Sequence, residues 1–350
     1  MIEYLAEYGL FLAKTLTLVA ALLFAVASLA TIAMRHKKTM DKHLEITNLN
    51  RQYEEMESTL ESATLTEAGM KLKMKADKKK AKQEAKAEKK ANKTGDEDKP
   101  RRKLFVLDFD GDMKASSVEN MRQEISALLT IAGENDEVLV RLESGGGTVH
   151  GYGLGASQLQ RIRDRNIPLT VSVDKVAASG GYMMACVGNQ IISAPFAIIG
   201  SIGVLAQIPN FHRVLEKNDI DFEQLYAGEY KRTLTLFGEN TDKGRAKMQE
   251  DLEDTHLLFK EYVKARRPSL DIDKVATGEH WLGTRALELG LVDSLQTSDD
   301  YLMSAREDAD IIHLEYTEKQ NLMEKLSHMM SLNVWNRHRE LREMEKPLLM

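Results

Sequence analysis

The spacing of apolar and polar residues changes repeatedly along this chain, and each change marks a different kind of segment. Thr15 to Met34 form a stretch of about twenty uncharged residues, enough to cross a bilayer as a helix. Asp41 to Met70 has helical character with mixed charge. Lys71 to Lys103 carries roughly fifteen basic against six acidic residues and almost no large apolar side chain, so it buries no core and reads as a helical or disordered stalk. Regular patterning then begins. Leu104 to Phe109 and Val138 to Leu142 read as strands, His150 to Arg163 as a helix, and Pro168 to Val173 as a strand rich in β-branched residues. Tyr182 to Val187 reads as the opening of a buried helix. A second uncharged run, Ile191 to Asn210, is cut by Pro195, Gly200, Gly203 and Pro209 into pieces of strand length and is expected to form two buried strands. The result is an α/β chain in four parts: an anchor with short flanks at 1–40, a charged stalk at 41–102, a domain at 103–300 long enough to bury a full core, and a helical tail at 301–350.

Charge and composition sharpen this at three points. The 350 residues hold 48 Lys and Arg against 54 Asp and Glu, a net charge of −6, and no aromatic residues interleave the basic stalk, so nucleic-acid binding is not expected. Arg35, Lys37 and Lys38 directly follow the uncharged stretch, which by the positive-inside rule puts the C-terminal side in the cytoplasm; the stalk would then lie beside anionic headgroups. A cleavable leader ending near Ala25 to Ala27 is the rival reading, but Glu3 and Glu7 against Lys14 oppose the basic start a leader needs, so an uncleaved anchor is expected. The single cysteine, Cys186, excludes an internal disulfide and reads as a packing residue in its apolar run. No spaced Cys, His and carboxylate set suggests a metal and no dinucleotide fingerprint follows a strand, so no cofactor is expected.

The candidate chemistry lies in three short segments. In Ala177 to Met184 a hydroxyl, Ser179, sits between two small residues and two glycines at a strand-to-helix junction, beside the unpaired amides of Gly180 and Gly181, which can favour a developing oxyanion. Glu143 to Val149 follows a strand with three consecutive glycines, a backbone able to approach a ligand and offer a second amide donor; it lacks the Gly-Lys-Ser/Thr ending of a phosphate loop. In Leu225 to Thr233 a lysine, Lys231, stands among apolar and aromatic residues, where an amine can lose its charge and accept a proton from serine.

Together these segments resemble the S49 peptidases, the signal peptide peptidase A family, whose fold is shared with ClpP protease and the crotonases. Ala178 to Tyr182 is similar to that family's nucleophile motif, Ser144 to Gly147 to its oxyanion loop, and Gly228 to Lys231 to its general-base motif, with 52 residues from serine to lysine as in the short members. His280 to Asp293 resembles the segment that closes the fold, and the likeness covers roughly Lys103 to Leu295. Gly145 stands where the family usually has proline. The resemblance implies a spiral of ββα units, Ser179 as nucleophile, Lys231 as general base and acid, Gly146 and Gly180 as oxyanion donors, and Ser201 as the residue that orients the lysine. It further implies a ring-like homo-oligomer, with Ser179 and Lys231 contributed by neighbouring subunits, and a periplasmic catalytic domain in a bacterial inner membrane, the side opposite to the one the charges favour.

The activity so implied is a membrane-anchored serine endopeptidase acting on signal-peptide remnants or misfolded membrane and envelope proteins. Two other candidate bases weigh less: His150 has no identifiable acidic partner, and Lys175 beside Asp174 is more simply solvated or ion-paired. Two other functions stand as alternatives. A catalytically silent membrane scaffold would keep the fold and oligomer, and a crotonase-type acyl-CoA enzyme would need a different catalytic group and an adenine site.

Overall fold

The computed structural model describes residues 42–66 and 101–318 continuously, with scattered positions at 10–19 and 68–79. The chain divides into two units, Met1–Leu44 with Tyr316–Met350 and Glu45–Glu315. In the first, the described residues include helical positions 14–17. No helix among the described residues is long and apolar enough to cross a membrane, and most of the expected span from Thr15 to Met34 lies outside them.

The strands are β1 (Lys42–Asn48), β2 (Arg102–Gly111), β3 (Glu137–Ser144), β4 (Leu169–Val173), β5 (Val176–Ala178), β6 (Gln190–Ser193), β7 (Ile198–Gly200), β8 (His280–Leu282), β9 (Ser294–Leu295) and β10 (Ala309–Glu318). The helices are α1 (Leu49–Thr64), α2 (Val118–Leu128), α3 (Val149–Arg163), α4 (Gly180–Ala185), α5 (His212–Lys217), α6 (Asp242–Arg266), α7 (Ile272–Val275), α8 (Gly283–Glu288) and α9 (Ser298–Ala305). The α/β expectation holds. In the second unit the order β10-β2-β3-β4-β6-β9 is parallel throughout. A parallel sheet is covered on both faces, so its strands carry continuous apolar runs: Leu104, Phe105, Val106 and Leu107 on β2 are all fully buried. Each such side chain contributes about 2 kcal/mol of burial. Helix α2 buries Val118, Met121, Ile125 and Leu128, a stripe at helical spacing.

The feature that positions the site is a fork in β3. Its first half pairs with β4 through Arg141, while its last residue, Ser144, pairs with Ala177 of β5. Strand β5 pairs in turn with β7, and β7 runs antiparallel to β8. The ends of β3, β5 and β7 therefore lie side by side, and the loops that follow them are brought together.

Three segments differ from expectation. Asp41 to Met70 is helical only from Leu49; the residues before it form β1, and Asn48 ends the strand by accepting the Arg51 N–H at 3.0 Å as the helix cap. The run Ile191 to Asn210 supplies β6 and β7, but the chain leaves the sheet after Gly200 and residues 205–210 are exposed. Among the described residues of the expected helical tail the one helix is the end of α9, and Ala309–Glu318 forms a sheet strand whose Ile311 and Leu314 are buried. The remainder of the tail, with Met329, Met330 and Trp335, lies outside the described residues. Leu49 packs with Leu104, Val106, Leu139, Leu302 and Ile311, and the Asn50 side chain bonds Ala309 O at 3.0 Å and Ile311 N at 2.7 Å. The start of α1 is thus part of the domain core.

One ion-paired group gives this unit a pH signature. Asp108 accepts from Arg141 Nε and Nη2 at 2.5 and 2.7 Å and lies 3.1 Å from His313 Nε2. Burial would raise its carboxyl, but the hydrogen bonds from His313 and Arg141 and the Arg141 charge outweigh it and hold Asp108 at about 2. Because the folded value lies below the unfolded one, the stabilisation is present above about pH 4 and is lost as pH falls toward 2. Asp108→Asn is expected to flatten the loss of stability in that window, read from urea midpoints between pH 5 and 2.5; equal slopes for variant and wild type would refute the assignment.

Candidate active site

The position of Ser179, the expected nucleophile, is built by an abrupt change of direction. Strand β5 ends at Ala178 and α4 starts at Gly180, leaving Ser179 alone to make the turn at φ 53 and ψ −118. A residue with a Cβ rarely adopts that conformation, which stores of order 1–3 kcal/mol. Two hydrogen bonds hold it there: the Ser179 N–H donates to Gly200 O at 2.8 Å, and Ser179 O accepts from Met183 N at 3.0 Å. The Gly180 amide then falls in the first turn of α4, where it has no carbonyl one turn earlier to bond.

The glycine loop after β3 lies against this elbow. Gly146 has φ 89, and a Cβ added there would come within 2.8 Å of Ala178 O, Gly180 N and Ser179 Cβ. Its N–H, expected to face an oxyanion, donates to Ser144 Oγ at 3.0 Å in the free chain. From the third strand, Ser201 follows Gly200 at φ 50, with its N–H donating to Glu279 O at 2.7 Å.

Ser179, Gly180, Gly146 and Ser201 line one cleft of about 730 Å³. Its apolar walls include Met113, Val149, Met183, Val204, Leu205 and Phe259, and α6 closes the far side with Thr255, His256 and Tyr262. His256 Nε2 and Tyr262 Oη are buried without a hydrogen-bond partner among the described residues, and burial pushes the Tyr262 phenol up to about 12. These α6 residues were not foreseen; the sequence signal that could have found them is the spacing of Thr255, Phe259 and Tyr262 along one face of a helix. His150 is exposed and outside the cleft, and Lys175 is ion-paired with Glu143 at 2.8 Å. Cys186 is fully buried, with its thiol pushed up to about 12 by burial, which suits a packing residue. Among the described residues no group of His, Cys, Asp and Glu could hold a metal ion.

The model of "Peptidase family S49 N-terminal" matches residues 3–159 and that of "Peptidase family S49" matches residues 161–312. The chain is 49% identical over 325 residues to the "Probable protease SohB" of Haemophilus influenzae, covering 92% of both chains. It is 50% identical over 304 residues to the "Probable protease SohB" of a Buchnera aphidicola subspecies, covering 86% of this chain and 99% of that one. The chain belongs to peptidase family S49. Among solved structures, the "1510-N membrane-bound stomatin-specific protease" with a substrate peptide aligns at TM-score 0.41 and 14% identity, over 66% of this chain and 98% of that chain.

In this S49 peptidase one expected member of the site stands elsewhere. Lys231 is exposed and lines a separate hollow with Tyr226, Ala227, Arg232 and Phe237. The segment that carries it, residues 203–241, has little regular structure beyond α5 and is organised by small contacts. Phe237 packs against Phe211 and Phe222 with centroids 6.1 and 5.7 Å apart, and Lys243 pairs with Glu229 beside the Tyr230 ring. Much of its apolar surface is uncovered: Leu225 is 95% exposed, and Leu205, Val214, Ile220 and Tyr226 are all more than half exposed.

The Gly146 geometry makes a direct prediction for the S49 chain. Gly146→Ala places a methyl against backbone atoms that cannot swing aside, at a φ that disfavours it, and is expected to lower stability by roughly 2–4 kcal/mol and abolish activity. Gly153→Ala, on α3 with open space around its Cβ, is the control and should be neutral or slightly stabilising. Urea midpoints of the two variants check both; equal midpoints would contradict the close approach at Gly146.

Proposed function

We propose that this peptidase is a membrane-anchored serine endopeptidase that works through Ser179 and Lys231 by way of an acyl-enzyme. The observation that carries the reading is the elbow: a strained serine, at φ 53, presented to a cleft beside the first amide of a helix. Strain of this kind clusters at active sites, where the surrounding structure holds it in place.

In this mechanism Ser179 Oγ forms a bond to the carbonyl carbon of the substrate while the Lys231 amine takes the hydroxyl proton. The carbonyl oxygen gains negative charge beside the Gly180 N–H and draws the Gly146 N–H from Ser144, because an anion is a stronger acceptor than a neutral hydroxyl. The carbon–nitrogen bond then breaks as the Lys231 ammonium returns its proton to the leaving amine, and water attacks the acyl-enzyme with Lys231 again as base. Ser201 orients the lysine.

Lys231 does not line the Ser179 cleft of its own chain, so in this reading it is supplied by a neighbouring copy in a ring-like homo-oligomer. The uncovered apolar surface of residues 203–241, of the kind that marks protein interfaces, supports this. Residues 15–34 would anchor the chain as a single span in a bacterial inner membrane. The apolar cleft suits the side chains of signal-peptide remnants and misfolded membrane or envelope proteins, which we propose as substrates.

A fluorophosphonate probe applied to detergent-solubilised protein tests the reading, with the adduct mapped by mass spectrometry. The expected result is one adduct, on Ser179, absent when Lys231 is replaced by alanine in protein that is still assembled. No adduct in assembled wild type, together with no peptide cleavage, would favour the silent scaffold.

A further inference from the structure

Three consecutive glycines give the loop after β3 no side chains with which to hold a shape. A buried pair of hydroxyls holds it instead. The Gly146 N–H donates to Ser144 Oγ at 3.0 Å, Ser144 Oγ lies 2.5 Å from Tyr152 Oη, and Tyr152 Oη donates to Asp112 O at 2.7 Å. Counting protons sets the direction of this chain. With the single phenol hydrogen on Asp112 O at 2.7 Å, the 2.5 Å contact between hydroxyls uses the Ser144 hydrogen in preference to the longer 3.4 Å contact of Ser144 Oγ with Gly111 O, and Ser144 Oγ accepts from Gly146. Burial raises the Tyr152 phenol, which keeps that hydrogen in place.

The same two residues abut the nucleophile elbow. A Cβ on Gly180 would collide with the Tyr152 ring, and one on Gly181 would lie 2.5 Å from Ser144 O. Ser144 and Tyr152 are 2% and 0% exposed, so neither meets solvent or fills the cleft. They join the loop that carries Gly146 to the turn that carries Ser179.

We propose that Ser144 and Tyr152 are positioning residues for the Gly146 amide: their one-way chain of hydrogen bonds sets the orientation of the peptide between Gly145 and Gly146 beside Ser179. This rests on the reading of Ser179 as nucleophile. In the free protein Ser144 Oγ occupies the amide hydrogen as a weak acceptor, so the group waits in a defined orientation until a stronger acceptor forms at the substrate carbonyl. With glycine at 145 in place of a stiffer residue, the hydroxyl pair supplies the rigidity the backbone lacks.

The test uses the full chain in detergent and two readouts: fluorophosphonate inactivation resolved into kinact and KI, and amide hydrogen exchange across residues 143–149. Tyr152→Phe, which keeps the ring and its packing, and Ser144→Ala should each lower kinact by about tenfold to a hundredfold with KI within about twofold, and speed exchange in the loop. Adding Gly145→Pro to Ser144→Ala should recover most of kinact and slow exchange again. Two conditions for proline are met: no atom lies within 4 Å of a Cβ built on Gly145, and its φ is not positive. Unchanged kinact and exchange in both single variants would overturn the proposal. So would a loss of kinact that tracks a lowered melting temperature and is not recovered by proline. If wild type carries no adduct on Ser179, the nucleophile reading falls separately, and the exchange data alone decide whether the hydroxyl pair holds the loop.

Discussion

Ser179→Ala is expected to lower peptide hydrolysis by roughly four to six orders of magnitude while leaving the fold in place. The size of the loss follows from the chemistry: with Oγ gone no acyl-enzyme forms, and only the weaker effects of binding and the amide donors remain. Stability should barely change. Both backbone bonds of residue 179, to Gly200 O and from Met183 N, survive the substitution, and alanine pays the same strain at φ 53 as serine. Ser179→Gly separates function from strain. Glycine tolerates that backbone conformation, so this variant should be inactive yet more stable than Ser179→Ala by about 1 kcal/mol. Residual rates from single turnover and urea midpoints check the two halves. A Ser179→Ala enzyme retaining a tenth of wild-type activity would remove Ser179 from the mechanism.

The second large effect concerns assembly. Ser179→Ala and Lys231→Ala proteins should each be inactive alone, and co-assembly from equal amounts should restore about one site in four, because a site completed head-to-tail needs an intact serine from one copy and an intact lysine from the next. The motive is the position of Lys231, exposed in a different hollow from the Ser179 cleft. Activity of wild type should also fall more steeply than linearly on dilution below the assembly constant. Peptide hydrolysis by mixed oligomers, verified with two affinity tags, is the measurement. No recovery in verified mixed oligomers would mean that Lys231 reaches the serine of its own chain by a rearrangement of residues 203–241.

The parts of this fold that could be read in advance are those whose information is local. Strand β4, the glycines after Ser179 and the helix after the glycine loop are each specified by a few adjacent residues, and β4 and α3 appear within a residue or two of expectation; the short β5 that leads into Ser179 is not among the expected elements. The rest depends on distant partners. Helix α6 is largely exposed, with only Phe259 and Val263 buried, and the spacing of Thr255, Phe259 and Tyr262 marks a packed face without naming the cleft as what it packs on. Strand β10 looks like part of a tail until β2 is available to pair with Ala309 to His313. Lys231 was recognised by its neighbours in sequence, but where its segment lies is decided by aromatic contacts among Phe211, Phe222 and Phe237.

The close approaches at Gly146 and Gly180 divide the cleft into a wall made of backbone and a wall made of side chains. Wherever the first meets the elbow there is no volume into which a substituent could grow, so a side chain added there can only displace the elbow. If the cleft takes the peptide, as proposed, selectivity would change on α6 and at Met113, which reach it from stretches of chain remote from the serine. An engineer retargeting this enzyme would therefore randomise Met113, Thr255, His256, Leu258 and Tyr262, and leave the glycines untouched.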